Sequence, residues 1–244
     1  MILQRTPDGV FAIKQEDHAA FAGFLLEHWS DHNFLHDPER EQIILATCQH
    51  DNGWKAFDAA PSLDPATGLP LEFTQVSAED AFDIWMNGAR KYIDTDPFVA
   101  LLITHHAYSI HEQSHKRDPV WKLFFTEFAQ LRAELRNRLG LAHPQVERAY
   151  SYLRMMDWFS LSYCMHYDLG AEKSDTYAGY NFKRLASEFL FRPYPFDTKE
   201  ISYSLPLYPM AEGGYKDEEE LKAALSNPPV QHAIILNPLG RREK

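Results

Sequence analysis

Features that define common protein classes are missing from this chain of 244 residues. Basic residues are few, since 24 Lys and Arg stand against 35 Asp and Glu and give a formal net charge of −11. A nucleic-acid partner would require a local basic patch, and the sequence has none. No apolar run approaches the roughly 18 residues that a membrane span needs. We therefore expect neither a nucleic acid polymer nor a membrane as partner.

Cysteine is also scarce, and both copies, Cys48 and Cys164, lie in apolar helical segments where we interpret them as buried thiols. The N-terminal stretch MILQRTPDGVF lacks the basic and apolar regions of a secretory signal peptide. Hydrophobic residues make up 45% of the chain, which is ample for a packed core. These observations lead us to expect a soluble, cytoplasmic protein.

Helical patterns occupy most of the chain. The turn Pro7-Asp8-Gly9 predicts a hairpin over residues 2–14. Three helix starts have capping residues: Ser77 with Asp80, Asp96 before Pro97, and Asp118 before Pro119. Helices are predicted at about 16–29, 38–50, 77–92, 96–111, 118–140, 144–166 and 181–191, and strands in the proline-rich tail at 201–205 and 233–236.

This pattern predicts a mainly α fold in a single domain, 1–244. The helical core would cover about residues 15–192, with the hairpin 1–14 and the tail 193–244 packed on it. The hairpin and the tail strands would form a small peripheral antiparallel sheet. Acidic residues 217–220 are interpreted as a solvated helix start.

The segment 52–76 has no clear period, although it follows a helix directly. A loop of this length inside a compact domain is usually functional or disordered. Its aromatic residues Trp54, Phe57 and Phe73 indicate an ordered loop that packs over another part of the molecule. It is either an active-site lid or a packed connection.

Polar residues in apolar surroundings are the most informative feature of the sequence. A buried carboxylate or imidazole is costly unless it is paired or bound to a metal. Imidazole nitrogens and carboxylate oxygens are also the ligands that divalent transition metals take from proteins. The residues in such surroundings are His18, His50, Asp51, His105, His106 and Asp157.

His50 and Asp51 close an apolar helix and are followed at once by Asn52-Gly53. Neighbouring residues on a helix point about 100° apart, so both side chains cannot serve one point from within it. At a frayed helix end both can turn toward a common centre. The Asn-Gly break is therefore expected to end the helix where His50 and Asp51 act together.

The order His18, His50-Asp51, Asp157 resembles the H…HD…D metal-ligand order of the HD-domain superfamily. The resemblance covers about residues 15–165 and implies an HD-domain-like helical bundle. It further implies that these four residues hold one divalent transition-metal ion, such as Mn, Fe, Ni, Co or Zn. Most known members are metal-dependent phosphohydrolases, and a minority are oxygenases with two irons. A second metal here would depend on His105, His106 and His111.

The chain also resembles an uncharacterised bacterial domain-of-unknown-function family, through its HD-x-G-W segment and the loop Leu63–Pro70. It departs from the superfamily pattern in two respects. Many hydrolytic relatives have a lysine three residues after the HD aspartate, whereas Lys55 is four residues after Asp51. No histidine lies between Asp51 and His105, which weakens the case for two metals.

The leading functional hypothesis is a metal-dependent hydrolase of a small phosphorylated metabolite or nucleotide. Asp51, Lys55 and Arg154 would be catalytic, the two cations neutralising developing charge, although Arg154 could instead simply neutralise Asp157. Trp54, His105 and His106 would contact the substrate. The alternatives are an HD-type di-iron oxygenase and a non-catalytic scaffold that binds a metabolite.

Overall fold

The structure is a computed structural model that describes residues 1–112, 119–165, 174–199 and 201–240. The α-helices in these ranges are α1 Gln15–Glu27, α2 His32–Leu35, α3 Arg40–Gln49, α4 Trp54–Ala59, α5 Ala78–Arg90, α6 Pro97–His111, α7 Pro119–Leu139, α8 His143–Cys164 and α9 Glu218–Leu225. The strands are β1 Ile2–Thr6, β2 Gly9–Ile13, β3 Ser174–Tyr177, β4 Tyr180–Arg184, β5 Glu188–Arg192, β6 Ile201–Met210 and β7 Val230–Pro238.

The predicted fold class is wrong in its account of the sheet. Helix covers about 51% of the chain, but strand covers 21%, in one mixed seven-stranded sheet of order β1-β2-β6-β7-β5-β4-β3. The β5–β7 pairing is parallel and the other pairings are antiparallel. The molecule thus combines a helical layer with a substantial sheet, instead of a mainly α bundle with a small peripheral antiparallel one.

The predicted helix 181–191 is the largest local error, because β4 and β5 occupy this segment as an antiparallel hairpin. Phe189 and Phe191 are fully buried two positions apart, which is the period of a strand. They pack with Phe182 and with Phe159 of α8, whose ring centroid lies 5.2 Å from those of Phe182 and Phe191. This aromatic cluster joins the sheet to the helices.

The N-terminal hairpin is confirmed, with Ile2 paired to Ile13, and β2 continues the sheet through β6. The helical predictions for α5 to α7 are also close. Ser77 caps α5 by accepting from the Asp80 backbone N–H, and Asp96 caps α6 by accepting from two backbone N–H groups. The expected cap Asp118 and the expected helix end His166 lie outside the described residues.

Helices α1, α3 and α8 pack on one another, and α1 also contacts β6 through a stacked pair, Phe21 and Tyr203, at 4.8 Å. Helices α5, α6 and α7 form a neighbouring cluster around Trp85, Phe124 and Phe128. In the described part of the chain, no helix combines the length and apolarity needed to cross a bilayer.

The segment 52–76 is more regular than its sequence indicates. Helix α4 begins at Trp54, and Phe73–Gln75 form a short 3-10 helix. Gly53 has an ordinary helical φ of −69°, so its role is space and not conformational freedom. A Cβ at Gly53 would overlap the Ile84 carbonyl oxygen of α5, beside Gly88. Helix α4 can therefore dock on α5 only if position 53 has no side chain.

Candidate functional site

Two imidazoles and two carboxylates meet where α1, the end of α3 and α8 come together. His18 Nε2 lies 3.5 Å from Asp51 Oδ2 and 3.2 Å from Asp157 Oδ1. His50 Nε2 lies 3.4 Å from the same Asp51 oxygen and 3.3 Å from the same Asp157 oxygen. The structure therefore brings together the four residues that the sequence predicts as metal ligands.

Hydrogen bonds at the far side of each ring fix which nitrogen carries the proton. Ser160 Oγ donates to the His18 carbonyl oxygen at 2.7 Å, so it accepts from His18 Nδ1 at 2.8 Å. His50 Nδ1 donates to the Thr47 carbonyl oxygen at 2.7 Å. In the neutral form of each ring, Nε2 is then an unprotonated acceptor that faces carboxylate oxygens.

An acceptor facing an acceptor is unfavourable unless a cation lies between them. His50 Nε2 is buried and has no hydrogen-bond partner among the described residues. Burial alone would lower the pKa of His50, but Asp51 and then Asp157 raise that pKa well above its usual value of 6.5. Burial alone would raise the pKa of Asp157, yet His18 and His50 hold that pKa well below 3.8. The centre therefore attracts positive charge.

The donor spacing fits a shared metal ion. Histidine nitrogens and carboxylate oxygens bind zinc at about 2.0–2.2 Å, so neighbouring donors on one ion lie about 3.0–3.5 Å apart. The imidazole–carboxylate separations of 3.2 to 3.5 Å match this spacing. One donor atom from each of His18, His50 and Asp157 lies within 4.8 Å of the others. Burial, tautomer and spacing all suit a divalent transition metal.

A cavity of about 350 Å³ opens beside this centre, and His18, Asp51 and Asp157 line it. Asp157 is 15% exposed, more than the other three, and so forms part of the accessible floor. The aromatic part of the wall consists of Trp54, Phe73, Trp85 and Trp121. Val76, Ala81, Ile110 and Leu161 add aliphatic side chains, and Gln15, Thr74, His106 and His111 complete the lining.

Of the residues predicted to contact substrate, Trp54 and His106 line the cavity. His106 Nε2 lies 3.9 Å from Asp157 Oδ2, and burial lowers the pKa of His106 to about 4. His105 does not line it. Its ring lies between Arg132 and Glu147, with Nδ1 2.8 Å from Arg132 and Nε2 3.0 Å from Glu147. Adjacent residues on α6 point in different directions, so only one of this pair reaches the cavity.

Lys55 and Arg154, predicted to neutralise substrate charge, also lie away from the cavity. Lys55 is 69% exposed and pairs with Glu16 at 3.1 Å. Because Trp54 is buried on α4, its neighbour Lys55 points to solvent. Arg154 is exposed on α8, with its guanidinium 5.7 Å from the Tyr150 ring centroid. The structure assigns neither cation to the site.

Sequence reasoning missed two kinds of residue at the site. Ser160 orients His18, and its position three residues after Asp157 on α8 places it on the same helical face. Trp85, Ile110 and Trp121 form cavity wall. These apolar residues carry no signal of their own, because an amphipathic helix face predicts burial but not the cavity it borders.

Comparison with known proteins gives a family and no function. The sequence profile of the family described as "Protein of unknown function (DUF3891)" matches residues 1–210, a range that includes all four residues of the centre. No curated protein and no solved structure matched the chain.

Proposed function

Since the chain belongs to the DUF3891 family of proteins of unknown function, we propose its function from the site itself: a metal-dependent hydrolase of a small molecule, with a ligand set of the HD-domain kind. One observation carries this proposal. His18 and His50 are both held with Nδ1 as donor, so that in the neutral rings two unprotonated Nε2 atoms face Asp51 and Asp157. Histidine ligands of metals are typically oriented in this way by their second nitrogen.

The HD-domain resemblance enters this proposal through the helices alone. His18, His50-Asp51 and Asp157 occur in the HD order and lie on α1, the end of α3 and α8. The seven-stranded sheet is no part of the all-helical fold that the resemblance implied. The resemblance therefore supports the ligand set and its helices, and it does not extend to the sheet.

Hydrolysis at this centre assigns roles to residues that line the cavity. A divalent ion bound here would lower the pKa of a coordinated water toward neutrality. Asp51 lines the cavity and is placed to accept the proton that an attacking water loses. His106, beside Asp157 Oδ2, is placed to hydrogen-bond the substrate. The water oxygen and one of its protons go to the cleaved group, and the other proton passes to the leaving group.

Metal binding is the first test. Chelator-treated protein should rebind about one Mn, Fe, Co, Ni or Zn ion per chain in equilibrium dialysis. His50→Gln should abolish this binding, whereas His36→Gln should not. His36 is a matched control because its Nδ1 also lies close to a backbone carbonyl, at 2.9 Å from His32 O, but on an exposed residue. Absence of binding for all five metals would overturn the proposal.

Activity is the second test. Metal-loaded protein should be screened against phosphoesters, including nucleoside monophosphates, and against carboxylic esters and amides. Phosphoesters remain in the screen because the HD-domain resemblance implies a phosphorylated substrate. The chemistry is hydrolytic if the wild-type protein forms the hydrolysis product and Asp51→Asn does not. The metal content of both proteins is measured under the same conditions. A metal-loaded protein that hydrolyses none of these classes contradicts the hydrolase assignment.

The di-iron oxygenase remains a second candidate because of His106. Its Nε2 lies 3.9 Å from Asp157 Oδ2, while Asp157 Oδ1 faces His18 and His50. Asp157 could then bridge two ions, with His106 as a ligand of the second. If the wild-type protein binds two iron ions per chain and His106→Gln binds one, the oxygenase is favoured over the hydrolase.

A further inference from the structure

The charge of the cavity wall is unusual for a site that takes phosphate. Among the described residues that line it there is no Lys and no Arg, and its carboxylates are Asp51 and Asp157. A divalent ion balances these two carboxylates, since +2 − 2 = 0. The two cations that the sequence offered, Lys55 and Arg154, lie elsewhere. An anionic substrate would therefore find no Lys or Arg on the described wall to offset the loss of its hydration, and would depend on the imidazoles and the metal ion.

The shape of the wall favours a planar group. Its aromatic rings come from different elements: Trp54 from α4, Phe73 from the 3-10 helix, Trp85 from α5 and Trp121 from α7. Trp54 and Phe73 meet edge to face at 6.5 Å. Aromatic pairs prefer stacked or edge-to-face contacts, so such a wall accepts another flat ring with little loss of contact.

Gln15 and Trp54 on the wall carry buried polar atoms without a partner among the described residues. These atoms are Gln15 Oε1, an acceptor, and Trp54 Nε1, a donor. Gln15 is 2% exposed and Trp54 is 3% exposed. An unpaired buried polar group typically costs about 1–3 kcal/mol, so an occupant that pairs with both would gain affinity. Such an occupant needs a donor for Gln15 and an acceptor for Trp54, and an amide group supplies both.

We propose that this cavity binds an uncharged planar ring with an amide-like edge, that is, a neutral heteroaromatic compound or an aromatic amide. The inference rests on the proposed function, because this ring would carry the bond hydrolysed at the metal centre. A volume of about 350 Å³ is near the lower limit for small-molecule sites, which suits one ring system.

The charge preference can be measured with three compounds of almost the same shape. Benzamide is neutral, benzoate is anionic and benzamidine is cationic. Their Kd values are determined by saturation-transfer NMR, first on chelator-treated protein, so that coordination of benzoate to a metal plays no part, and then on zinc-loaded protein. Chelator-treated protein should bind benzamide at least about fivefold more tightly than benzoate, which corresponds to about 1 kcal/mol. Zinc-loaded protein, in which the ion balances the two carboxylates, should bind benzamide at least about fivefold more tightly than benzamidine. Equal or tighter binding of the charged compound in either comparison, or no binding of benzamide, would overturn the inference.

A matched pair of variants locates the binding. Ile110 lies on the cavity wall and is 43% exposed, so Ile110→Lys adds a cation at the cavity without removing buried core. In this variant the affinity for benzoate, relative to that for benzamide, should be about fivefold higher than in wild type. Leu123, 53% exposed on α7, is not among the residues that line the cavity. Leu123→Lys should leave the ratio unchanged, and an equal change in both variants would place the binding outside this cavity.

Failure of this inference is distinguishable from failure of the proposed function. If dialysis shows no metal but benzamide binds chelator-treated protein with the expected preference, the hydrolase proposal fails and the cavity assignment stands. If metal binds and a phosphoester is turned over while benzamide does not bind, the cavity assignment fails and the hydrolase proposal stands.

Discussion

The Ser160 hydroxyl shows that this site depends on residues that would not themselves contact a bound metal or substrate. Ser160 donates to the His18 carbonyl oxygen and accepts from His18 Nδ1, which holds both the ring orientation and the tautomer. Without the Ser160 hydroxyl, the His18 ring could rotate or carry its proton on Nε2. Either change would remove Nε2 as a metal ligand. The affinity of the centre should therefore respond to a side chain outside it.

We expect Ser160→Ala to weaken metal binding by about 10- to 100-fold, the usual effect of removing a hydrogen bond that orients a ligand. The measurement is a competition titration against a fluorescent zinc chelator. Ser151→Ala on the same helix is the control, because Ser151 Oγ is exposed and donates only to the Arg148 carbonyl oxygen. Equal zinc affinities for Ser160→Ala and wild type would show that the tautomer of His18 is held by other means.

At this scale the sequence predicts which residues form the centre but not which neighbours join them. His18, His50, Asp51 and Asp157 stand out because apolar flanks make their burial costly. Lys55 and Arg154 are predicted from their spacing to Asp51 and Asp157, and His105 from its apolar flank, but neither signal determines the direction of a side chain. Lys55 follows Trp54 by one residue, and the burial of Trp54 turns Lys55 outward.

The turn between α3 and α4 is the element on which the centre depends most. It carries His50 and Asp51, and it is held against α5 by Asn52, whose side-chain amide donates to the Gln49 carbonyl oxygen at 2.7 Å and to the Gly88 carbonyl oxygen at 3.2 Å. Gly53 and Gly88 allow the two backbones to meet. The position of Asp51 is thus set by the packing of α4 on α5.

Gly53→Ala should destabilise the protein by about 1–3 kcal/mol, the usual cost of overpacking, because the new Cβ would overlap the Ile84 carbonyl oxygen. Metal affinity should fall with it, as Asp51 moves with the turn. Urea unfolding and zinc titration measure the two effects. Gly213→Ala is the control, since no atom lies within 4 Å of a Cβ there. Similar stability of both variants would contradict the close approach of α4 and α5.

Elements were predictable where local signals and packing agree. Caps at Ser77 and Asp96 and the turn at Pro7-Asp8-Gly9 start or divide elements by short-range hydrogen bonds and backbone preferences, and these predictions are correct. The helix prediction for 181–191 is wrong because its apolar residues fit both a helical and a strand period. The long-range pairing of β5 with β7 decides for the strand. Such pairing leaves no mark in the local sequence.

On the scale of the whole molecule, the proposed metal centre connects helices that are distant in sequence. Saturating zinc should raise the free energy of unfolding, by about 2.7 kcal/mol at a free concentration 100 times the Kd. Thermal unfolding with and without zinc measures this gain. Asp157→Asn should lose it, whereas Asp217→Asn, which alters the cap of α9, should keep it. Zinc stabilisation of Asp157→Asn equal to that of wild type would place the ion elsewhere.

Stability should also fall in acid because of His105. Burial, and next the Arg132 guanidinium, lower the pKa of His105 to about 3 from 6.5. The unfolded chain therefore binds a proton at His105 below about pH 6.5, while the folded protein does not until about pH 3. Folding stability should decrease over this window by about 1.4 kcal/mol per pH unit from this residue.

Urea unfolding of chelator-treated protein at pH 7, 6, 5 and 4 measures this effect. His105→Gln should be less stable than wild type near pH 7, because it loses contacts with Arg132 and Glu147, and should show a shallower decline toward pH 4. Parallel declines in the two proteins would mean that His105 is protonated as readily in the folded state as in the unfolded chain.

The strand order has a consequence for how the protein is made. Strand β7 is the last strand in the sequence but lies between β6 and β5, and β6 in turn joins β2 to the rest of the sheet. As the chain leaves the ribosome, the hairpin β1–β2 and the strands β3–β5 are complete long before residues 230–238 are synthesised. Until then both groups present unpaired edges, which are templates for association with other chains. We therefore expect the growing chain to associate with other chains more readily than the finished protein does.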